Sequence, residues 1–421
     1  MLESKEFLLP RGKDNESLRV IAVGFDERSL IEMQGLLVSL DINLVSSVFY
    51  QKKKVNPSTY IGKGKLEELS LKVKDEDAQV VIFDFELSSS QFKKIEKELK
   101  APILDRSGVI LEIFSRHART KESKTQVELA RLQYIMPRLT HYWTHFERQR
   151  GGSVGQRGMG EKQIEVDRRL MQRRMSLLKK KLVAIEKERI VQRAKRKEVL
   201  KVALVGYTNA GKSTLLNALT HSDVLVENKL FATLDATART LDPNSHPPVV
   251  AIDTVGFISR IPTFLIASFK STLEELHEAE LLIHVVDASS VDAQSQIETT
   301  QKVLEELNLK DKKIITVLNK IDQVKSVSQL SWAKVLVPGG LRVSAFNVED
   351  VVKLRQKVLS FFREQFELYE ILVPYSNSKL ESQLHVFASI ESMRYLDKGT
   401  FYRLKIDKKW ASRLNLNRFK I

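Results

Sequence analysis

Residues 201–213 read KVALVGYTNAGKS, and the order of chemistry in this stretch decides the architecture at the centre of the chain. Lys201 to Val205 is an apolar run of strand type, and Thr214 to Leu219 opens a helix. Between them, Gly206-Tyr207-Thr208-Asn209-Ala210-Gly211-Lys212-Ser213 has the spacing of a phosphate loop in its required strand–loop–helix setting. Glycines let such a loop wrap, so that backbone N–H groups and the helix N-terminus point at phosphate oxygens. The run from Gly206 to Thr214 is therefore expected to cradle a nucleotide. Lys212 is expected to reach the outer phosphates, and the Ser213 hydroxyl to bind Mg²⁺.

Three further elements follow in the right order, each after a β-type run. Val249 to Ile252 ends in Asp253-Thr254-Val255-Gly256, where Asp253 would hold Mg²⁺ through water and the Gly256 amide would sense the terminal phosphate. Between this element and the phosphate loop, Phe231-Ala232-Thr233-Leu234-Asp235 offers Thr233 as the switch threonine that closes over Mg²⁺. Ile314 to Leu318 leads into Asn319-Lys320-Ile321-Asp322, which decides the base. An aspartate at position 322 accepts from both N1–H and the 2-amino group of guanine, whereas adenine would leave it unpaired. GTP is thus expected over ATP, with Ser344 and Ala345 in the short loop that backs the base.

Two positions refine the expected chemistry. Phe257 follows Gly256, where many GTPases carry a glutamine that orients the attacking water. Phenylalanine cannot do that, so intrinsic hydrolysis should be slow and completed by a partner. Asn209 stands where some GTPases use an asparagine to help bind K⁺ near the phosphates. A choice of asparagine for loop geometry alone explains the residue equally well.

Outward from this centre, the chain of 421 residues can bury a core in each of several domains. It has no run long and apolar enough to span a bilayer and no signal-peptide pattern at Met1 to Lys13, so a soluble cytoplasmic protein is expected. Cysteine is absent, which excludes disulfide-linked partners and thiolate chemistry. The net charge of +15 points to a polyanionic partner. Much of that charge is local: Glu161 to Leu200 holds 14 Lys plus Arg against 6 Asp plus Glu, a balance of +8. A solvated helix face is the plain reading of a charge run, and the imbalance of sign argues for more.

Residues 17 to 115 alternate strand-type runs (Leu18 to Phe25, Leu44 to Tyr50, Val80 to Phe85) with helical stretches (Arg28 to Leu40, Lys65 to Val73), the punctuation of a parallel α/β domain. Gly62-Lys63-Gly64 reads as a loop and helix start. A helical pattern from Ser123 to Arg150 is interrupted by Pro137, where a kink is expected. The glycine-rich run Gly151 to Gly160 follows, and then Met171, Met175, Leu178, Leu182 and Ile185 recur at four-three spacing. Together these predict an antiparallel helical hairpin with a glycine-rich tip, at which Arg148, Arg150 and Arg157 suit close approach to a phosphate backbone. His141 and His145, four apart, lack a third ligand and are not read as a metal site. After Gln365 a strand at Ile371 to Pro374, a helix from Ser378 to Leu396 and a strand at Phe401 to Ile406 are expected.

These residues resemble the HflX family, ribosome-associated bacterial GTPases of the Obg–HflX group. The likeness rests on Asn56 to Leu69 (NPSTYIGKGKLEEL), Ala118 to Leu139 (ARTKESKTQVELARLQYIMPRL), the Gly151 to Glu161 loop, Phe231 to Asp235 and Asp253 to Phe257 (DTVGF). It implies an N-terminal α/β domain (1–115), the hairpin (116–199), the GTPase domain (200–365) and a small C-terminal α/β domain (366–421). It also implies binding to the large ribosomal subunit, with the tip against ribosomal RNA, and splitting of stalled or idle ribosomes. Ser153 and Lys162 stand where the family has glycine and threonine, and Ala236 where it has proline. Some members also hydrolyse ATP through the N-terminal region, but no second phosphate loop is visible. Two other readings are a GTP-gated adaptor for non-ribosomal partners, which has no need of a +8 helix, and an RNA-modifying GTPase, which would need a second catalytic centre.

Overall fold

A computed structural model describes residues 18–51, 55–139, 157–195, 199–220, 229–235, 237–242, 245, 247–260, 262, 264–265 and 275–421. It is an α/β protein that divides into two compact units, the first formed by residues 1–188 with 227–235 and 260–271, the second by the remainder.

The first unit is built on a parallel sheet of order β2-β1-β3-β4, from β1 (Val20–Gly24), β2 (Leu44–Phe49), β3 (Val80–Phe83) and β4 (Ile103–Asp105). Helices α1 (Glu27–Ser39), α2 (Lys63–Asp75) and α3 (Ser89–Leu99) make the crossovers. Gly62 is the N-cap of α2, and the Gly62-Lys63-Gly64 stretch is a plain helix start with open space around both glycines. Helix α4 (Arg106–His117) follows β4 directly and is buried over most of its length. Within it Arg106 is 1% exposed and sits between Asp84 (2.5 Å) and Glu32. Burial opposes its charge, but the two carboxylates outweigh that and hold the guanidinium firmly protonated.

Helix α5 (Lys121–Ile135) tightens into a 3-10 turn at Met136–Arg138, where Pro137 removes a donor, and the expected course of the helix beyond Leu139 lies outside the described residues. Its end is fixed to the sheet: Asp105 accepts from Tyr134 Oη (2.8 Å) and Arg138 Nη2 (3.1 Å) while also capping α4 through Gly108 N. Helix α6 (Arg157–Lys195) begins inside the glycine run, so residues 157–160 are helical where a loop was expected. On α6, Met171 and Leu178 are buried and Met175, Leu182 and Ile185 half-buried, the inward seam of the predicted stripe. Arg174 on α6 reaches Glu128 on α5 at 2.7 Å, joining the two helices. Arg148, Arg150, His141, His145 and residues 151–156 of the tip lie outside the described residues.

The second unit carries a six-stranded sheet of order β10-β9-β8-β5-β7-β6. Its strands are β5 (Leu200–Gly206), β6 (Thr237–Asp242), β7 (Val249–Asp253), β8 (Leu281–Asp287), β9 (Lys313–Asn319) and β10 (Leu341–Arg342), all parallel except β6. Helices α7 (Lys212–Thr220) and α10 (Val348–Arg363) pack on one core, and α8 (Ala293–Glu306) and α9 (Val327–Leu336) contribute to another. A three-stranded antiparallel sheet, β11 (Phe366–Val373), β13 (Gly399–Asp407) and β12 (Ala388–Leu396), backs helices α11 (Ser378–Phe387) and α12 (Lys408–Arg413). The predicted helix from Ser378 to Leu396 therefore ends at Phe387. Asp397-Lys398-Gly399 makes the tight turn of a hairpin, with Leu396 opposite Gly399 at a φ of +153°, and the turn commits residues 388–396 to a strand. No helix among the described residues is long and apolar enough to cross a membrane.

The Asp84–Arg106–Glu32 cluster supplies a direct test of the first unit's packing. Asp84→Ala leaves a buried guanidinium with Glu32 alone and should cost about 3 kcal/mol, as breaking buried pairs does. Urea unfolding followed by circular dichroism should show an earlier transition.

Candidate functional site: a nucleotide pocket at the sheet's switch point

Strand β5 lies between β7 and β8, the place where the winding of the sheet reverses, and the loop that leaves it opens at the C-terminal edge, where open α/β sheets bind ligands. Gly206 approaches β8 so closely that a Cβ would sit 2.3 Å from the Val285 carbonyl oxygen. Asn209 and Gly211 turn the loop with φ of +59° and +89°. Asparagine is one of the few side-chain-bearing residues that tolerates that region, so loop geometry has support as the reason for Asn209. Its side chain is nonetheless exposed.

Lys212 starts α7 and is 6% exposed. Its ammonium donates to the Gly206 (3.1 Å) and Tyr207 (2.8 Å) carbonyl oxygens. Burial pulls its pKa down to about 8, opposed by Asp253 and assisted by Lys320. Ser213 Oγ donates to Asp253 Oδ2 at 2.6 Å, so the residues expected at Mg²⁺ converge from two strands' ends. Hard oxygens of this kind suit Mg²⁺, which keeps water and phosphate as its other ligands.

Gly256 packs on the phosphate loop: a Cβ there would lie 2.8 Å from Thr208 Cα and 2.9 Å from Lys212 Nζ. The next residue is held by Thr208 N donating to the Phe257 carbonyl (2.7 Å) and Phe257 N to the Gly206 carbonyl (3.1 Å). The Phe257 side chain is buried, a packing role that a catalytic glutamine could not share. His284 on β8 lies beneath the loop, and burial together with Lys212 pushes its pKa down to about 4, so it is neutral at pH 7.

The base-reading elements close on the same loop. Asn319 is buried and its Nδ2 donates to the Ala210 carbonyl (2.9 Å), while Lys320 Nζ donates to the Asn209 carbonyl (2.7 Å) and pairs with Asp287 (2.8 Å). Asp322 is exposed in a 3-10 turn. Ser344 is buried, its amide donating to Asp350 (3.0 Å), and Ala345 adjoins it. The segment that holds Thr233, 229–235, belongs to the first unit.

That segment is fastened there in detail. Lys229 pairs with Asp41 (2.8 Å), Leu230 N donates to Ser39 Oγ (2.8 Å), and the Phe231 ring meets Phe114 edge to face. Asp235 Oδ2 accepts from Arg119 N (3.0 Å) and Thr120 N (3.2 Å), and Oδ1 from Thr120 Oγ1 (2.7 Å). Burial would raise the Asp235 carboxyl, but hydrogen bonds from Thr120, Arg119 and Ser123 outweigh it and hold the group below the usual carboxylate range. Sequence reading missed Asp235, whose partners lie more than a hundred residues upstream.

Comparison with known proteins agrees with this geometry. Family models described as "GTP-binding GTPase N-terminal", "GTP-binding GTPase Middle Region" and "50S ribosome-binding GTPase" match residues 27–115, 117–196 and 201–320. The GTPase HflX of Flavobacterium psychrophilum is 43% identical over 80% of this chain and 86% of its own, and that of Escherichia coli 38% identical over 87% and 86%. The chain belongs to the HflX family. It is a GTP-binding protein that hydrolyses GTP. A GTP-binding protein of Sulfolobus solfataricus, solved with GDP, is 26% identical over 82% of this chain and 98% of its own, with a TM-score of 0.44.

The exposed carboxylate of Asp322, two residues after Lys320, predicts that Asp322→Asn will shift preference from GTP toward xanthosine triphosphate; tight GTP binding by that variant in a competition assay would refute the base assignment. For Asn209, exchange of K⁺ for Na⁺ should slow hydrolysis in the wild type and leave Asn209→Ala unaffected, measured by phosphate release. Equal rates in both salts would leave loop geometry as the sole role.

Proposed function

We propose that the chain binds the large ribosomal subunit in a GTP-dependent manner, with its helical hairpin against ribosomal RNA, and splits stalled or idle ribosomes in the cytoplasm. One observation carries this reading. The segment holding Thr233 is bonded, through Asp235, to the N-terminus of α5, the helix that begins the hairpin. In GTPases this segment is ordered by contacts to the terminal phosphate and Mg²⁺ and released on hydrolysis. A switch fastened to a hairpin helix offers a route from nucleotide state to the hairpin, and a family description naming 50S binding accords with it.

In this reading Lys212 and the loop amides from Gly206 to Thr214 hold the phosphates, and Asp322, Asn319, Lys320, Ser344 and Ala345 hold the guanine. Ser213, Asp253 and Thr233 would hold Mg²⁺, which supplies charge neutralisation at the transferred phosphoryl group. The domain limits at 115, 199 and 365 belong to the same proposal. The RNA-facing cations on α6 divide in two. Arg169 pairs with Glu165 (2.6 Å) and Arg174 with Glu128, while Arg168 and Arg173 are exposed with no ion-pair partner among the described residues. The second pair is the stronger choice for phosphate contacts, in which arginine's planar fork is apt.

Co-sedimentation with large subunits tests the proposal. The GTP-analogue form should bind more tightly than the GDP form, binding should fall steeply with salt, and large subunits should raise the slow intrinsic turnover. Deleting residues 151–160 should abolish or misplace ribosome binding while leaving GTP affinity intact. Binding indifferent to nucleotide and tip alike would refute it.

A further inference from the structure

The small antiparallel sheet at the end of the chain carries a groove that the nucleotide chemistry does not use. It is open, holds about 340 Å³, and is lined by Lys379, Leu380, Phe387, Trp410, Arg413 and Phe419 among others. Clefts that take small ligands start near this size, about 300 Å³. Its floor is rigid and flat: the half-buried Trp410 indole stacks on buried Phe387 at 3.9 Å and 13°, and the Arg413 guanidinium lies 5.0 Å over the same indole. Its rim is cationic. Lys379 and Arg413 are exposed, with no ion-pair partner among the described residues, and residues 408–421 contain Lys408, Lys409, Arg413, Arg418 and Lys420 with no Asp or Glu.

We propose that this groove is a second RNA-binding site, one that takes an unpaired nucleotide by stacking its base over Trp410 in the place the Arg413 guanidinium now holds, with Lys379 and the displaced Arg413 gripping its phosphate. Aromatic stacking beside cations is how proteins hold single-stranded nucleic acid, and it is tolerant of base identity because every base has a π-face. A lipid-like or neutral ligand would leave the rim charges unmatched. An acidic peptide would satisfy them but has no use for a pre-stacked indole. The inference stands apart from the hairpin reading, since free RNA should enter the groove even if the hairpin never meets a ribosome.

The test is photo-crosslinking of the full chain to a short single-stranded RNA carrying 4-thiouridine, with the adduct located by mass spectrometry. Adducts should fall on the peptides holding Trp410 or Lys379. Lys379→Glu with Arg413→Glu should reduce them about ten-fold or more, Trp410→Phe should keep most of the yield, and GTP hydrolysis should stay unchanged in the charge-reversal variant, certifying its fold. Adducts that map only elsewhere, or a groove adduct indifferent to charge reversal, would overturn the proposal. So would crosslinking on purified large subunits from this groove to ribosomal protein and none to RNA.

Discussion

The Asp235 carboxylate is the constraint through which the rest of the molecule acquires its meaning. It accepts two backbone N–H bonds and a hydroxyl bond at the start of α5, and so joins the segment holding Thr233, the proposed switch threonine, to the first helix of the proposed hairpin. Hydrogen bonds to a charged acceptor are worth about 1.5–3 kcal/mol, and a carboxylate at a helix N-terminus adds roughly 0.3–1 kcal/mol. Coupling between sites in regulated proteins runs to about 1–3 kcal/mol. The contact is thus of the size needed to bias an equilibrium, and small enough to be broken in each cycle.

Rigidity on the receiving side makes such a contact useful. The far end of α5 is clamped by Asp105 to Tyr134 and Arg138, and α4 is locked into the sheet by the buried Arg106. Asp235 therefore holds the N-cap residue of a helix whose other end is already fixed to the sheet. The nucleotide pocket is built the same way. Gly206, Gly211 and Gly256 are places where a side chain would collide with a carbonyl, an amide or an ammonium, so the loop at 206–213, the Asp253–Gly256 element and Asn319 pack tightly together.

The strand–loop–helix turn at 206–213 was legible in sequence because its signals are local: a glycine at a positive φ, a lysine one residue on that starts the helix, and, at the end of the next parallel strand, an aspartate. Each lies at or after the C-terminal end of a strand of the same sheet, although the sheet order, β10-β9-β8-β5-β7-β6, is not the chain order. The role of Asp235 was not legible, since its partners at positions 119 and 120 come from another segment altogether. Phe257 was read from its side-chain chemistry alone, and its burial is a tertiary fact. Residues 388–396 misled because Ile390, Met393 and Leu396 fit a helical period, and the Asp397-Lys398-Gly399 turn that overrides it was the available signal.

A double-mutant cycle on Asp235→Ala and Thr120→Ala measures the proposed coupling most directly, read as the ratio of large-subunit affinities in the GTP-analogue and GDP forms. The account predicts that Asp235→Ala narrows that ratio, that Thr120→Ala, which leaves the Arg119 and Thr120 amide bonds in place, narrows it less, and that the pair together narrows it little more than Asp235→Ala alone. Additive effects, or a ratio that neither substitution changes, would contradict it.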